Sequence, residues 1–331
     1  MQSGPPCRGQ WRFAVRGNPD SKAGASRNIA HFLGVGLVIA ACLFVADRIV
    51  STEVWTLVEA GGEGLVVTVV LGAAAYTLSA FLLSGAWLVL LRCSGEAGAP
   101  VRPSMSIYAR TQLAKYIPGN VFHFVGRHIM GRDHGFGHGA MLWAAFLEAV
   151  GLIVAACVLA LPGALLWLEP GAGLSAPALA VLGGLLILAP YVLSYALPRL
   201  AKVRGLAART FSAGSVTVRI IPAYLLYVAF FVISGCIAWG LAASLGPLSV
   251  SALPLLAASI ATAWIAGYVT PGASAGIGVR EVVLIAVLSG TLGEANAAVV
   301  AVAFRVVTLS GDLLFFALSF LLALDTSHTQ A

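Results

Sequence analysis

Two stretches of this chain set cations around a broken apolar run, and both follow one plan. Residues 115–127 read KYIPGNVFHFVGR, and residues 268–281 read YVTPGASAGIGVRE. Arg127 follows Pro118-Gly119 nine residues after the proline, and Arg280 follows Pro271-Gly272 at the same spacing. A tyrosine (Tyr116, Tyr268) precedes each Pro-Gly pair, and a glycine stands just before each arginine. Proline removes a backbone donor and glycine allows a sharp change of direction, so a helix breaks at such a pair. The resumed helix presents free N–H groups and partial positive charge, which suits an anion. Arginine grips phosphate through a planar fork, and lysine as a point charge. The chemistry implied is the binding of a phosphate or pyrophosphate. The competing reading is a kinked helix end whose cations snorkel to the surface.

Around the first break stand Arg110, Lys115, Tyr116, Pro118, Gly119, His123 and Arg127. The second supplies Pro271, Gly272, Gly276, Gly278, Arg280 and Glu281. Its small residues permit close backbone approach to a ligand or a neighbouring helix. Arg280 and Glu281 are adjacent and so point in different directions on a helix. GIGVRE is no dinucleotide fingerprint, because no strand surrounds it. Two copies of one device predict two walls of a single site.

Charges within apolar runs add Glu148, Arg305 and Asp312. Such groups are costly in a membrane and usually face a partner or a wet cavity. A Glu148–Arg305 pair is expected, either structural or functional, with Asp312 or Glu148 as alternative proton carriers. His123, His128, His134 and His138 cluster near Asp133. His134 and His138 have helical spacing, but Gly135, Gly137 and Gly139 argue against a helix and a metal site. Contact with lipid headgroups is the simpler expectation. The five cysteines are scattered, with no CxxC pair. No GxxxxGK[ST], HExxH or GxSxG occurs, so no catalytic residue, cofactor or metal is expected.

What must position these residues is a set of membrane helices. The chain has 331 residues, 60% hydrophobic and 10% charged, which excludes an ordinary soluble domain. Apolar runs cover 29–46, 65–91, 140–161, 176–197, 220–245, 250–269, 282–293 and 297–324. About 20 residues cross the ~30 Å of hydrocarbon. The seventh run has 12 residues, so it is either a short span or a half-helix following the second break. The predicted fold is all-α: a polytopic helical membrane protein of about eight spans with two Pro-Gly-broken, re-entrant or half-helix segments. Residues 1–28 form a polar basic tail, 29–324 the transmembrane domain and 325–331 a short C-terminal tail. Residues 39–42 read IAAC, like a lipoprotein cleavage box, but the long basic tail argues against one. The stretch 47–64 mixes apolar and acidic residues, as an interfacial helix or an ordinary loop would.

Of 19 Lys/Arg, 17 fall in the N-terminal tail and the even-numbered connections. The positive-inside rule makes that side cytoplasmic. Eight crossings then place both termini and both Pro-Gly loops on the cytoplasmic face of the cell membrane. The net charge of +6 is read as topology and attraction to anionic lipid, not nucleic acid.

The two loops resemble the paired signatures of the lysylphosphatidylglycerol synthase transmembrane-region, or flippase-like, family. Lys115, Tyr116, Pro118, Gly119 and Arg127 match the first signature. Pro271, Gly272, Gly276, Gly278, Val279, Arg280 and Glu281 match the second, where Ala273 replaces a usual glycine. The resemblance covers roughly 29–324 and implies an integral membrane protein that moves or handles an anionic lipid, phospholipid or polyprenol-linked. The family's soluble synthase domain has no counterpart here, so synthase activity is not implied. Two alternatives stand beside a translocase. One is a non-catalytic partner of a separate glycosyltransferase or lipid synthase. The other is a membrane enzyme using Glu148 or Glu281 as general base.

Overall fold

A computed structural model describes residues 54–117, 121–168, 213–271 and 273–324, with Gly184, Leu185 and Leu188. The tail 1–28, the run 29–46, most of the run 176–197 and the tail 325–331 lie outside the described residues, as does the IAAC box. Every regular element among the described residues is helical. The first half contains α1 (Val54–Cys93), α2 (Val101–Gln112), α3 (Phe122–Asp133) and α4 (His138–Leu168). The second contains α5 (Ala213–Ala243), α6 (Leu253–Val269), α7 (Val279–Leu292) and α8 (Glu294–Leu324). Short 3-10 turns occupy Leu113–Tyr116, Val250–Ala252 and Ser274–Gly276.

Among the described residues, six stretches are long and apolar enough to cross a membrane: Gly61–Cys93, His138–Leu161, Ile220–Ala243, Val250–Val269, Ser274–Leu292 and Glu294–Leu321. A helix suits such sequences because it satisfies its own backbone groups where no water is available. These six coincide with six of the eight predicted runs. Part of the expected interfacial segment is also helical, since α1 begins at Val54 and bends at Gly62 (φ 47°). Pro254 occupies the first turn of α6, where its missing N–H costs nothing. Gly293 ends α7 with φ 81°, and Glu294 in the first turn of α8 complements that helix's positive end.

The element order repeats. A long helix, a short one, a break, a short one and a long one occur as α1–α4 and again as α5–α8. The short pairs have 12 and 12 residues, then 17 and 14, and each return helix has 31.

Three neighbour relations fix the directions. Thr77 donates to the Gly311 carbonyl at 3.2 Å, and Phe81 meets Phe315 edge-on at 4.9 Å, so α1 and α8 run parallel. Gly61 lies against Leu245, while Tyr76 meets Phe230 at 5.8 Å, so α1 and α5 are antiparallel. In the third, Gly235 faces Ala257 and Phe231 meets Trp264 at 5.4 Å, so α6 doubles back along α5. A methyl added at Gly235 would sit 2.5 Å from the Ala257 Cβ, so only glycine permits this crossing.

The two short pairs reach the centre from opposite ends of α8. Ser106 on α2 donates to the Ser319 carbonyl at 3.2 Å, and farther along that segment Lys115 meets Asp312 at 2.7 Å. The α2–α3 pair therefore enters from the C-terminal end of α8. Its two outer ends are tied together, because the Gly137 N–H donates to Glu96 at 2.7 Å. Glu281 on α7 meets Arg305 at 3.2 Å, and α7 then runs out to the N-terminal end of α8. The expectation that both loops enter from one face does not hold in this geometry.

Candidate functional site

The cavity where the halves meet is lined from both. Lys115, His123, Phe124 and Arg127 come from the first broken segment, and Ala275 and Arg280 from the second. Glu148, Gln112, Tyr108, Tyr76, Trp264 and Tyr268 complete much of its wall. Its volume is about 60 Å³. At ~10–15 Å³ per water it holds on the order of four waters. A second cavity of about 30 Å³ adjoins it and shares Tyr76, Phe230, Trp264 and Arg280. Glu148 is the eleventh residue of α4 and Arg305 the twelfth of α8, each about 15 Å along its helix.

Both terminal nitrogens of Arg127 are engaged, while its Nε has no partner among the described residues. It donates to Glu148, and both side chains are buried. Tyr108 donates to the other Glu148 oxygen at 2.9 Å. The guanidinium lies 3.7 Å from the Tyr108 ring centre and 5.5 Å from that of Phe124, an aromatic seat for a cation. Gln112 accepts from Arg127 at 3.4 Å. The predicted Glu148–Arg305 pair is therefore replaced by two others: Arg127–Glu148 and Arg305–Glu281. Helical spacing showed which face each charge occupies, but not which neighbouring element arrives there.

Lys115 is paired as well. Asp312 Oδ2 accepts from Lys115 at 2.7 Å and from Tyr116 at 2.6 Å. Among the described residues, the second Asp312 oxygen is buried without a partner.

Arg280 differs. Among the described residues it makes no hydrogen bond and no ion pair, and its Nε is buried. It rests 5.8 Å from the Trp264 ring centre, and Trp264 in turn stacks on Tyr268 at 4.7 Å. The backbone that places it is unusual. Ala275 (φ 49°), Gly276 (φ 71°) and Gly278 (φ 81°) are all left-handed. A Cβ at Gly276 would lie 2.6 Å from Arg280 Nε, and one at Gly267 2.8 Å from it. Glycine at both positions thus makes the channel in which Arg280 lies.

No family model, curated protein or solved structure matches this chain.

The remaining predicted residues divide between wall and frame. His123 is buried on the cavity wall, its Nδ1 without a partner among the described residues and its ring 4.0 Å from Phe124. Arg110 lies off the cavity, its guanidinium 5.1 Å from the Phe320 ring centre. Pro271 occupies an exposed turn just after α6, and Gly278 caps the start of α7. Pro118, Gly119 and Gly272 lie outside the described residues. His134 and His138 do not face each other: His134 bonds the Met130 carbonyl, and His138 bonds His128, each at 2.8 Å.

Sequence reasoning missed Tyr76, Tyr108, Gln112 and Trp264. Tyr108 stands seven residues before Lys115, two helical turns on one face, and Trp264 four before Tyr268. Those spacings were the available signal.

Proposed function

We propose that this chain is a multi-pass protein of the cytoplasmic membrane that translocates an anionic, phosphate-bearing lipid. The observation that carries this reading is the shared central cavity, where, among the described residues, Arg280 stands without a carboxylate while Lys115 and Arg127 are each paired with one. A part-buried guanidinium whose Nε is enclosed without a partner is costly, and an arriving phosphate oxygen removes that cost.

Two features favour a lipid over a free phosphate. The cavity lies about 15 Å along the flanking helices, within a membrane's apolar thickness. On the far side of Arg127 and Phe124 an apolar recess of about 220 Å³ opens, lined by Trp87, Ile129, Met141 and Leu142 among others. Val125, Ile129 and Leu142 at its rim are exposed, as side chains facing acyl chains are. The central cavity is too small for a headgroup as it stands, so loading requires the hairpins to part.

The topology proposed has eight apolar runs, six of which cross. At ~1.5 Å per residue, α6 and α7 extend ~26 and ~21 Å. The turn between them lies at the central cavity, whose wall includes Ala275 and Arg280. The two helices form a re-entrant hairpin entering from outside, opposite α2 and α3 entering from the cytoplasm. Three crossings separate the hairpins, an odd number, as inverted repeats require. The N- and C-termini are both cytoplasmic. The likeness of both loops to the flippase-like family is consistent with this reading.

The enzymatic alternative loses support from the carboxylates. Both oxygens of Glu148 are engaged, by Arg127 and Tyr108, so it is no free base; Glu281 is held by Arg305 through one oxygen, and its other has no partner among the described residues. The test is the chain purified in mild detergent, with its bound lipids identified by mass spectrometry. An anionic phospholipid or polyprenyl phosphate, retained chemically intact, is expected. Retention of only zwitterionic bulk lipid, or conversion of the lipid to a new product, would overturn the proposal.

A further inference from the structure

Among the described residues, the charges around the cavity do not balance. Lys115, Arg127, Arg280 and Arg305 contribute four positive charges, and Glu148, Glu281 and Asp312 three negative. The excess is one, and it resides on Arg280. Its origin lies in the repeat. The return helix of the first half carries Glu148 at its eleventh position, which neutralises Arg127. The return helix of the second half carries Phe304 and Arg305 at its eleventh and twelfth positions. Arg280 therefore shares its cavity with a cation where Arg127 meets an anion, and Glu281 is paired with Arg305 through one oxygen.

Resting on the anionic-lipid reading, we propose that the site selects a monoanionic phosphodiester headgroup over a phosphomonoester or pyrophosphate. A charge buried away from water must be matched or it costs several kcal/mol per ion. A phosphodiester carries one negative charge and cancels the excess. A phosphomonoester carries about −1.5 to −2 at neutral pH, since its second pKa is near ~6. It would leave net negative charge in the cavity, and a pyrophosphate more. Beyond Arg280, the described walls offer that surplus only neutral donors, such as Tyr76 and Trp264, and cations already paired with carboxylates.

The experiment compares three short-chain lipids binding to the purified full chain, by native mass spectrometry at neutral pH. Phosphatidylglycerol carries one charge, phosphatidic acid nearly two, and phosphatidylcholine none. Wild type is expected to prefer phosphatidylglycerol at least about tenfold over either of the others. Arg280→Gln should erase the preference over phosphatidylcholine. Glu148→Gln raises the net charge to two and should shift preference toward phosphatidic acid. Tighter wild-type binding of phosphatidic acid would overturn the charge assignment while leaving the anionic-lipid reading standing. Equal binding of phosphatidylcholine would overturn both. Equal competition by water-soluble glycerophosphoglycerol would support the monoanion assignment and remove the lipid from it. The wild-type comparison alone decides the matter if either variant fails to fold.

Discussion

Tyr116 donates to Asp312 at 2.6 Å across 196 residues of chain, joining the first broken segment to the last helix. Lys115 meets the same carboxylate oxygen at 2.7 Å. The contact closes the first hairpin against the end of the repeat and holds one wall of the cavity in place.

Removing one partner of that pair should be more harmful than removing both. Asp312→Ala leaves Lys115 buried and unpaired, at a cost of about 3–5 kcal/mol. Lys115→Met combined with Asp312→Leu should recover most of that loss, because apolar replacement of a buried pair is often neutral. Thermal unfolding of the purified chain, read by size-exclusion chromatography, measures both. A double variant as unstable as Asp312→Ala would remove the ion pair from this account.

The two matched arginines should behave differently. Arg127→Ala strands the buried Glu148 and should lower folding yield and thermal stability. Arg280→Ala removes an unpaired charge and should leave stability near wild type. Equal destabilisation by the two substitutions would contradict the assignment of Arg127 to structure and Arg280 to ligand.

Gly276→Ala should displace Arg280. The position has φ 71°, which costs an L-residue about 1–2 kcal/mol, and its Cβ would collide with Arg280 Nε. Reduced retention of anionic lipid, with normal expression, is the expected result. Wild-type retention would show that the glycine channel does not position the arginine.

Topology can be read from single cysteines in a cysteine-free background. Cysteines at Ser51, Ser175 and Thr291 should react with a membrane-impermeant thiol reagent in intact cells. Those at Ser26 and Ser212 should not. Labelling at Ser212 would place the second half upside down.

The apolar runs located six of the helices, and the recurring spacing of Pro-Gly and arginine pointed to the two stretches whose Arg127 and Arg280 line the central cavity. Their relative direction was not legible, and the reason lies in Arg280. Counted as a loop charge, it assigned the sixth connection to the cytoplasm. In the fold it lines the central cavity beside Trp264, and the positive-inside rule has no bearing on a cavity residue. Without it, the connection between α6 and α7 carries no cation. The pairing of Glu148 was equally hidden, because helical periodicity assigns a face but not the hairpin that comes to lie on it.

The central claim is that Arg280 carries a lipid phosphate through this cavity. The most direct test is movement of labelled phosphatidylglycerol between leaflets of vesicles holding the purified chain. Wild type should accelerate transfer and leave the lipid chemically unchanged. Arg280→Ala, folded and inserted to the same extent, should be slower by about 10- to 100-fold, matching the ~1.5–3 kcal/mol of a charge-assisted hydrogen bond. Transfer at the wild-type rate by Arg280→Ala, or no transfer by wild type above empty vesicles, would contradict the account.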